Sequence, residues 1–267
     1  MPRANVNNIN IHYRVYGDGE PLILICGMGS DLDDWIFQMR PFKKRYRLVI
    51  FDNRGIGRSD KPLQSYSIKD MAADTVGLMN HLGIEQANVL GISMGGMIAQ
   101  EVALNYPARV KKLVLASTGA EGWNPETSPE VRRALKLEEG TRVDWNGNNL
   151  AKLVIAMTKY SFNSRAYRLL MTSLFRIFVR PSTLVGMEWQ FRAVAGNSTI
   201  DRLHLIKSPT LVIGGTKDWI FSRGDMELLA QRIPGAKLVL VEGGNHTMMT
   251  EMHGRFNREV LAFLRTK

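Results

Sequence analysis

The sequence predicts an α/β fold in which a mostly parallel central sheet is flanked by helices and carries a helical cap. Short apolar runs alternate along the chain with segments whose apolar residues recur every three or four positions. Several of these runs are apolar throughout, which is typical of strands that helices cover on both faces. The alternation stops after Thr118 and resumes near Lys207, so a helical segment interrupts the sheet domain.

The segments that predict strands are residues 9–17, 22–26, 47–52, 87–92, 111–117, 210–215 and 237–243. Helical spacing relates Ile68, Met71, Ala72, Val76 and Met79, and also Met252, Phe256, Val260 and Phe263. In the interrupting segment the same spacing relates Leu150, Leu153, Val154 and Met157, and also Leu170, Leu174, Ile177 and Phe178. We therefore predict a core domain made of residues 1–118 and 207–267, with a helical cap insertion at residues 119–206.

Composition and charge exclude several classes of protein. The chain has 267 residues, of which 45% are hydrophobic and 22% are charged, as in an ordinary globular protein. The first residues lack an apolar segment of signal-peptide length, and no run reaches the roughly 18 apolar residues of a membrane span. We therefore expect a cytoplasmic protein with no membrane partner. The net charge of +10 is accompanied by no nucleic-acid-binding motif, so no nucleic-acid partner is expected.

One serine lies where a predicted strand meets a predicted helix. Gly91, Ser93 and Gly95 form the pattern G-x-S-x-G, between an apolar run and a helical segment. A nucleophile on such a tight turn adopts a strained backbone conformation, and small neighbours avoid collisions within the turn. The pattern alone also arises by chance, but its strand-turn-helix context predicts that Ser93 is a nucleophile.

A serine nucleophile needs a base to take its proton. Ligand sites in parallel sheets lie at the carboxyl ends of the strands, and His246 follows the last predicted strand, at the same sheet edge as Ser93. His12 and His81 lie within a predicted strand and a predicted helix, so we interpret them as structural or solvent-facing. His246 is the predicted base, and His253 on the terminal helix is the other candidate.

The acid that orients the base is also expected after a strand. Asp218 follows the strand at residues 210–215, and the chain order Ser93, Asp218, His246 is that of one hydrolase architecture. Asp218 is therefore the predicted acid. Two alternatives stay open, which are a helix-capping role for Asp218 and Glu121 as the acid.

An oxyanion hole needs two hydrogen-bond donors. The backbone N–H of the residue after the nucleophile, here Met94, is the first. The turn after the strand at residues 22–26 supplies the second, because Gly27 and Gly29 permit a sharp turn around the N–H of Met28. Since the donors are backbone groups, the side chain of Met28 is free to shape a pocket.

Five motifs occur in a fixed order, namely CGMG at residues 26–29, FDNRGIGRSDKP at 51–62, GISMGG at 91–96, GGTKDW at 214–219 and GGNH at 243–246. With these motifs the chain resembles the α/β-hydrolase fold family along nearly its whole length. The resemblance implies that Asp52 and Arg54 belong to a turn that shapes the site, and leaves Asp52 open as a second acid.

One position departs from the family pattern. Many relatives have His-Gly before the oxyanion residue, where this chain has Cys26 and Gly27. The change removes a side chain that often braces this turn, although backbone donors are not lost. Cys26 is the one cysteine of the chain, so an intrachain disulfide is excluded, and we do not expect it to be catalytic.

The residue types favour acyl transfer. Dehalogenases and many epoxide hydrolases that resemble this chain have an aspartate at the elbow, where this chain has Ser93. We therefore predict a carboxylic-ester hydrolase that forms an acyl-enzyme on small to medium apolar esters. Enol-lactonases, carbon-carbon bond hydrolases and cofactor-free perhydrolases resemble the chain in the same motifs, and a receptor without turnover is a further alternative.

Neither a cofactor nor a metal is predicted. The G-x-G stretches lack the third glycine of a dinucleotide fingerprint, and the histidines near Glu251 lack metalloprotease spacing. Aromatic and methionine side chains of the cap are candidates for an apolar pocket, namely Trp123, Trp145, Phe162, Phe175, Phe178, Met187, Trp189 and Phe191. Four methionines are expected to flank the site and to suit an adaptable apolar group, namely Met28, Met94, Met248 and Met249.

Overall fold

The computed structural model of the protein describes residues 2–123 and 181–266, together with residues 129, 132, 133, 136–138, 149, 152, 153, 155, 162–166 and 169. Its centre is an eight-stranded sheet with the order β1-β2-β4-β3-β5-β6-β7-β8. The strands are β1 (Arg3–Val6), β2 (Ile9–Tyr16), β3 (Glu20–Ile25), β4 (Tyr46–Phe51), β5 (Ala87–Ile92), β6 (Val110–Ala116), β7 (Thr210–Gly215) and β8 (Lys237–Val241). Strands β3 to β8 are parallel, and β1 and β2 form an antiparallel edge. The sheet is therefore mostly parallel, which confirms the predicted fold class.

Helices cover both faces of this sheet. In the described part of the chain they are α1 (Ile36–Phe42), α2 (Ile68–His81), α3 (Met94–Asn105), α4 (Pro181–Ala195), α5 (Arg223–Arg232), α6 (Met248–Glu251) and α7 (His253–Leu264). Because successive side chains of a strand point to opposite faces, Ile23 and Ile25 pack with α2, α3 and α5, whereas Leu22 and Leu24 pack with α1, α6 and α7. The continuous apolar runs of the sequence thus supply two cores, one on each face.

The register of the parallel strands brings their carboxyl ends to one edge. Ile92 of β5 pairs with Ala116 of β6, and Ala116 pairs with Ile213 of β7. Backbone hydrogen bonds continue the alignment past the strand ends, since the N–H of Ser93 donates to the Ala116 carbonyl at 2.9 Å and that of Thr216 donates to the Val241 carbonyl at 3.0 Å. The turns after β5, β6, β7 and β8 therefore lie side by side.

The boundaries of the predicted cap stay a prediction. Glu121 and Ser198, near the two ends of the predicted insertion, form an isolated β-bridge beside the sheet. Most residues named for the helical pattern and the aromatic pocket within the insertion lie outside the described residues, namely Leu150, Val154, Met157, Leu170, Leu174, Ile177, Phe178, Trp145 and Phe175. Within the described ranges, no helix has the length and apolar character that a membrane crossing needs.

Candidate active site

Ser93 occupies the sharp turn that the G-x-S-x-G pattern predicts. It stands between β5 and α3 with φ 55° and ψ −125°, a left-handed conformation that is costly for a serine. Its own backbone groups hold the turn, because the Ser93 carbonyl accepts from the Gly96 N–H at 2.8 Å and from the Thr118 hydroxyl at 2.8 Å. This strained turn presents a partly buried hydroxyl at the sheet edge.

Gly95 is required by a close approach of two backbones. A Cβ at this position would collide with the carbonyl oxygens of Ile25 and Cys26 at the end of β3. We expect Gly95→Ala to lower the free energy of unfolding by about 1–3 kcal/mol or more, because the strand and the turn must separate. Thermal denaturation measures the change. Gly254→Ala is the matched control, since its Cβ would meet no atom within 4 Å, and its melting temperature should stay level or rise.

His246 and Asp218 form a buried hydrogen-bonded pair. His246 Nδ1 lies 2.9 Å from Asp218 Oδ2 and 3.1 Å from Oδ1, and the two residues are 9% and 7% exposed. Asp218 Oδ1 also accepts from the N–H groups of Ile220 at 3.0 Å and Phe221 at 3.1 Å. The carboxylate is thereby held in place, and a proton on Nδ1 leaves Nε2 of His246 free to accept another.

The structure brings Ser93 and the His246–Asp218 pair to one sheet edge. Among the hydrogen bonds of the described residues, none joins the Ser93 hydroxyl to His246. Such bonds are commonly long in an empty site and shorten when substrate binds. The catalytic roles of the three residues therefore stay predictions that the alignment of the strand ends favours.

The loop at residues 26–29 passes directly beside the serine. A Cβ added to Gly27 would lie 3.3 Å from the Cβ of Ser93. Met94 is the first residue of α3, so its N–H has no acceptor within the helix. In the described ranges neither this N–H nor that of Met28 has a hydrogen-bond partner. Two unpaired backbone donors next to Ser93 are what an oxyanion hole needs.

Cys26 braces this loop in a different way from a histidine. Its thiol donates to the Asp31 carbonyl at 3.2 Å, and its carbonyl accepts from the Asn53 side chain at 3.0 Å. Burial raises the pKa of the Cys26 thiol well above its ordinary value, so the group stays protonated and is not nucleophilic. The loop is thus held although the histidine of many relatives is missing.

The alternative candidates for the base and the acid are His253, Glu121 and Asp52. His253 stacks on Phe37 with ring centroids 4.7 Å apart, and Glu121 is exposed at the β-bridge. Asp52 is fully buried and accepts from the N–H groups of Leu32 at 2.9 Å and Arg58 at 2.8 Å and from His12 Nδ1 at 3.2 Å. These bonds favour the interpretation that Asp52 shapes a turn. Sequence reasoning singled out neither Asn53 nor Gln190, whose bonds are to backbone groups of loops near Ser93.

Apolar side chains gather beside Met28 and Asp218. Trp123 and Trp219 meet edge to face with centroids 5.9 Å apart, and Phe191 and Met28 pack in the same cluster with Leu153. Of the four methionines that are expected to flank the site, Met94, Met248 and Met249 are buried in the two cores of the sheet. Met28 is only partly buried. In the described part of the chain no group of three His, Cys, Asp or Glu side chains is arranged to hold a metal.

Asp34, six residues after Met28, is expected to make the stability of the protein depend on pH. Burial raises the pKa of Asp34 from its ordinary 3.8 to about 6, although a hydrogen bond with Ser30 acts in the opposite direction. Because the folded state binds this proton more tightly than the unfolded chain, the ionised carboxylate destabilises the fold as pH rises from about 4 to above 6. We expect Asp34→Asn to raise the melting temperature at pH 8 and to leave it unchanged at pH 4.

Asp33→Asn is the control for this prediction. Asp33 is about half exposed and pairs with Arg14 at 2.6 Å, so its replacement removes an ion pair and should leave the melting temperature at pH 8 level or slightly lower. Equal gains for Asp34→Asn at both pH values would contradict the assignment.

The chain is similar to known hydrolases along most of its length. A family model described as alpha/beta hydrolase fold matches residues 20–251. A poly(3-hydroxyalkanoate) depolymerase from Ectopseudomonas oleovorans is 31% identical over 230 residues, covering 86% of this chain and 79% of that one. A 2-hydroxy-6-oxononadienedioate/2-hydroxy-6-oxononatrienedioate hydrolase from Paraburkholderia phymatum is 31% identical, covering 96% and 91%. The crystal structure of an enol-lactonase from Burkholderia xenovorans LB400 matches with a TM-score of 0.85 and 29% identity, covering 99% and 100%.

Proposed function

The chain belongs to the α/β-hydrolase fold family and is a hydrolase, and we propose that it cleaves carboxylic esters through an acyl-enzyme on Ser93. The observation that carries the proposal is the buried His246–Asp218 pair, which lies at the same sheet edge as a serine held at φ 55°. A hydroxyl on a strained turn, an oriented imidazole and two unpaired N–H donors together make a site for acyl transfer.

Each group has a defined task in the proposed reaction. The Ser93 hydroxyl attacks the ester carbonyl carbon while His246 Nε2 takes its proton. The carbonyl oxygen becomes an oxyanion that the N–H groups of Met28 and Met94 stabilise. His246 then gives the proton to the departing alkoxide, and the alcohol leaves. Water attacks the acyl-enzyme with the same proton transfers, which releases the acid and restores Ser93. Asp218 stabilises the imidazolium that forms in both halves.

The apolar cluster of Trp123, Trp219, Phe191 and Met28 indicates the substrate class. These side chains pack in one cluster that includes Met28, whose N–H is the proposed oxyanion donor, and Trp219, the residue after the proposed acid. An acyl or alcohol part with apolar character suits such a cluster better than a charged one. The similarity to a poly(3-hydroxyalkanoate) depolymerase supports an ester as the bond that is cleaved.

A second candidate is cleavage of an enol-lactone. The match to the Burkholderia xenovorans enol-lactonase spans nearly the whole chain, and a lactone is an ester whose alcohol and acid remain joined. Carbon-carbon bond hydrolysis and perhydrolysis use the same triad and stay alternatives. We also propose a cytoplasmic location and a small-molecule substrate, with no nucleic-acid or membrane partner.

The test is labelling with a fluorophosphonate followed by mass spectrometry. An adduct on Ser93 and multiple turnover of chromogenic esters are the expected results. A panel of acetate to octanoate esters, an enol-lactone, a vinylogous diketone and peroxide with a halide separates the alternatives. Labelling at another residue would overturn the assignment of Ser93, and binding of an ester without turnover would identify a receptor.

A further inference from the structure

Gln190 of the cap helix α4 joins two loops of the sheet domain. Its side chain is fully buried. Its Oε1 accepts from the N–H of Gly29 at 2.9 Å, and its Nε2 donates to the carbonyl of Arg54 at 2.9 Å. Both partners are backbone groups, in the turn after β3 and the turn after β4. A buried carboxamide that bonds through both ends is fixed in orientation, because leaving either end unpaired is costly.

Helix α4, which carries Gln190, packs closely against the turns after β3 and β4. A Cβ on Gly186 would collide with the carbonyl of Gly55, so the backbones of α4 and of the turn after β4 touch. The Tyr66 hydroxyl donates to the Gly186 carbonyl at 3.3 Å. A Cβ at Gly29 would lie 3.1 Å from the end of the Met187 side chain. The helix that carries Gln190 is therefore itself held in contact with both turns.

Arg54, whose carbonyl accepts from Gln190, is itself held in place by its side chain. The Arg54 guanidinium donates two hydrogen bonds to Asp74, from Nε at 2.5 Å and from a terminal nitrogen at 2.6 Å. Asp74 is 2% exposed and also accepts from the Asn7 side chain at 3.0 Å. A paired, buried carboxylate on α2 therefore holds the turn to which Gln190 donates.

The bonds of Gln190 and Asn53 enclose the proposed oxyanion donor. The Met28 N–H belongs to the peptide unit between Gly27 and Met28. Asn53 holds the preceding peptide unit through the Cys26 carbonyl, and Gln190 holds the following one through the Gly29 N–H. With the peptide planes on both sides fixed, the direction of the Met28 N–H has little freedom.

We infer that Gln190 is a positioning residue that aligns the Met28 N–H with the oxyanion. Helix α4 would then contribute to the rate of the reaction through the orientation of this donor. The inference rests on the proposed ester hydrolysis. Its consequence differs from that of a residue that binds substrate, because a misaligned donor slows every ester, including those too small to touch the cap. An interaction made only with the oxyanion changes kcat and leaves KM nearly as it was.

The experiment compares Gln190→Met with wild type on p-nitrophenyl acetate and p-nitrophenyl octanoate. Removing one oxyanion donor outright costs about 10²–10³-fold, so we expect a misaligned donor to lower kcat about 10–100-fold on both esters, with KM within about two-fold. Affinity for a trifluoromethyl ketone, which forms an oxyanion on the serine, should weaken by the same factor as kcat. Affinity for the product carboxylate should not change. Glu188→Gln, on the same helix and paired with exposed Arg192, is the matched control and should keep its kcat.

Several outcomes would overturn the inference. They are a kcat within two-fold of wild type, a loss confined to octanoate, and a rise in KM alone. If Gln190→Met does not fold, Gln190→Glu keeps an acceptor for the Gly29 N–H and loses the donor to Arg54. Its kcat loss is expected to be smaller and again equal to its loss of trifluoromethyl ketone affinity, and unequal losses would contradict the inference.

Failure of this inference is distinguishable from failure of the proposed function. If wild-type Ser93 takes no fluorophosphonate and Ser93→Ala still turns over substrate, the proposed function is wrong. Hydrogen exchange of residues 26–31 then still tests the positioning, because Gln190→Met should speed exchange of the Gly29 amide at least ten-fold. Unchanged exchange would show that Gln190 does not fix the loop.

Discussion

Ser93→Ala is expected to lower ester turnover by about 10⁴-fold or more, because residues of a triad act as a unit and no other group in the proposed site replaces the attacking oxygen. The fold should survive the change. In the described part of the chain the Ser93 hydroxyl has no hydrogen-bond partner, and alanine accepts the strained turn about as well as serine. The melting temperature should therefore stay within a few degrees of wild type, and steady-state kinetics with p-nitrophenyl acetate measures the loss.

Ser117→Ala is the matched control for this prediction. Ser117 follows β6, the strand beside β5, and has a positive φ of 42° like Ser93. It is fully buried, and within the residues that the structure describes its hydroxyl has no hydrogen-bond partner. The variant should keep kcat within about three-fold of wild type, since its oxygen has no task in the proposed reaction. If the Ser93→Ala variant retained a tenth of the wild-type activity, the proposed mechanism would be wrong.

The strands, and the places of the three candidate residues after them, were predictable because each depends on local sequence. Apolar runs covered on both faces leave a clear pattern, and Ser93, Asp218 and His246 each lie in the turn that follows such a run. Strand β1 was missed because Arg3–Val6 has four residues that alternate between exposed and buried, too few to distinguish from a loop.

The support of the loop at residues 26–29 was not predictable from sequence. Gln190 lies in a helix, where glutamine is an ordinary residue, and its partners are backbone groups 161 and 136 positions away. Nearly every residue has a backbone donor and acceptor, so a hydrogen bond to these groups leaves no motif in the sequence. The replacement of histidine by Cys26 was visible, but the Cys26 thiol bond to Asp31 and the Asn53 bond to the Cys26 carbonyl required the fold.

Asp218→Asn is expected to lower kcat about 10³–10⁴-fold while leaving the fold intact, because it changes which nitrogen of His246 carries the proton. Two N–H groups, those of Ile220 and Phe221, donate to Asp218 Oδ1. They should hold the oxygen of the new carboxamide on their side, so its NH2 group faces His246 Nδ1. An imidazole that accepts at Nδ1 carries its proton on Nε2, where it cannot take the proton of Ser93.

Asp52→Asn separates this tautomer effect from the loss of a buried carboxylate. Asp52 has partners of the same kinds as Asp218, since two backbone N–H groups and the Nδ1 of a histidine, His12, donate to it. Its replacement should lower the melting temperature as much as Asp218→Asn does or more, yet keep kcat within about ten-fold of wild type. The ratio of the two kcat values therefore measures orientation of the base. If the Asp52 variant lost as much kcat as the Asp218 variant, Asp52 would have to be reconsidered as the acid.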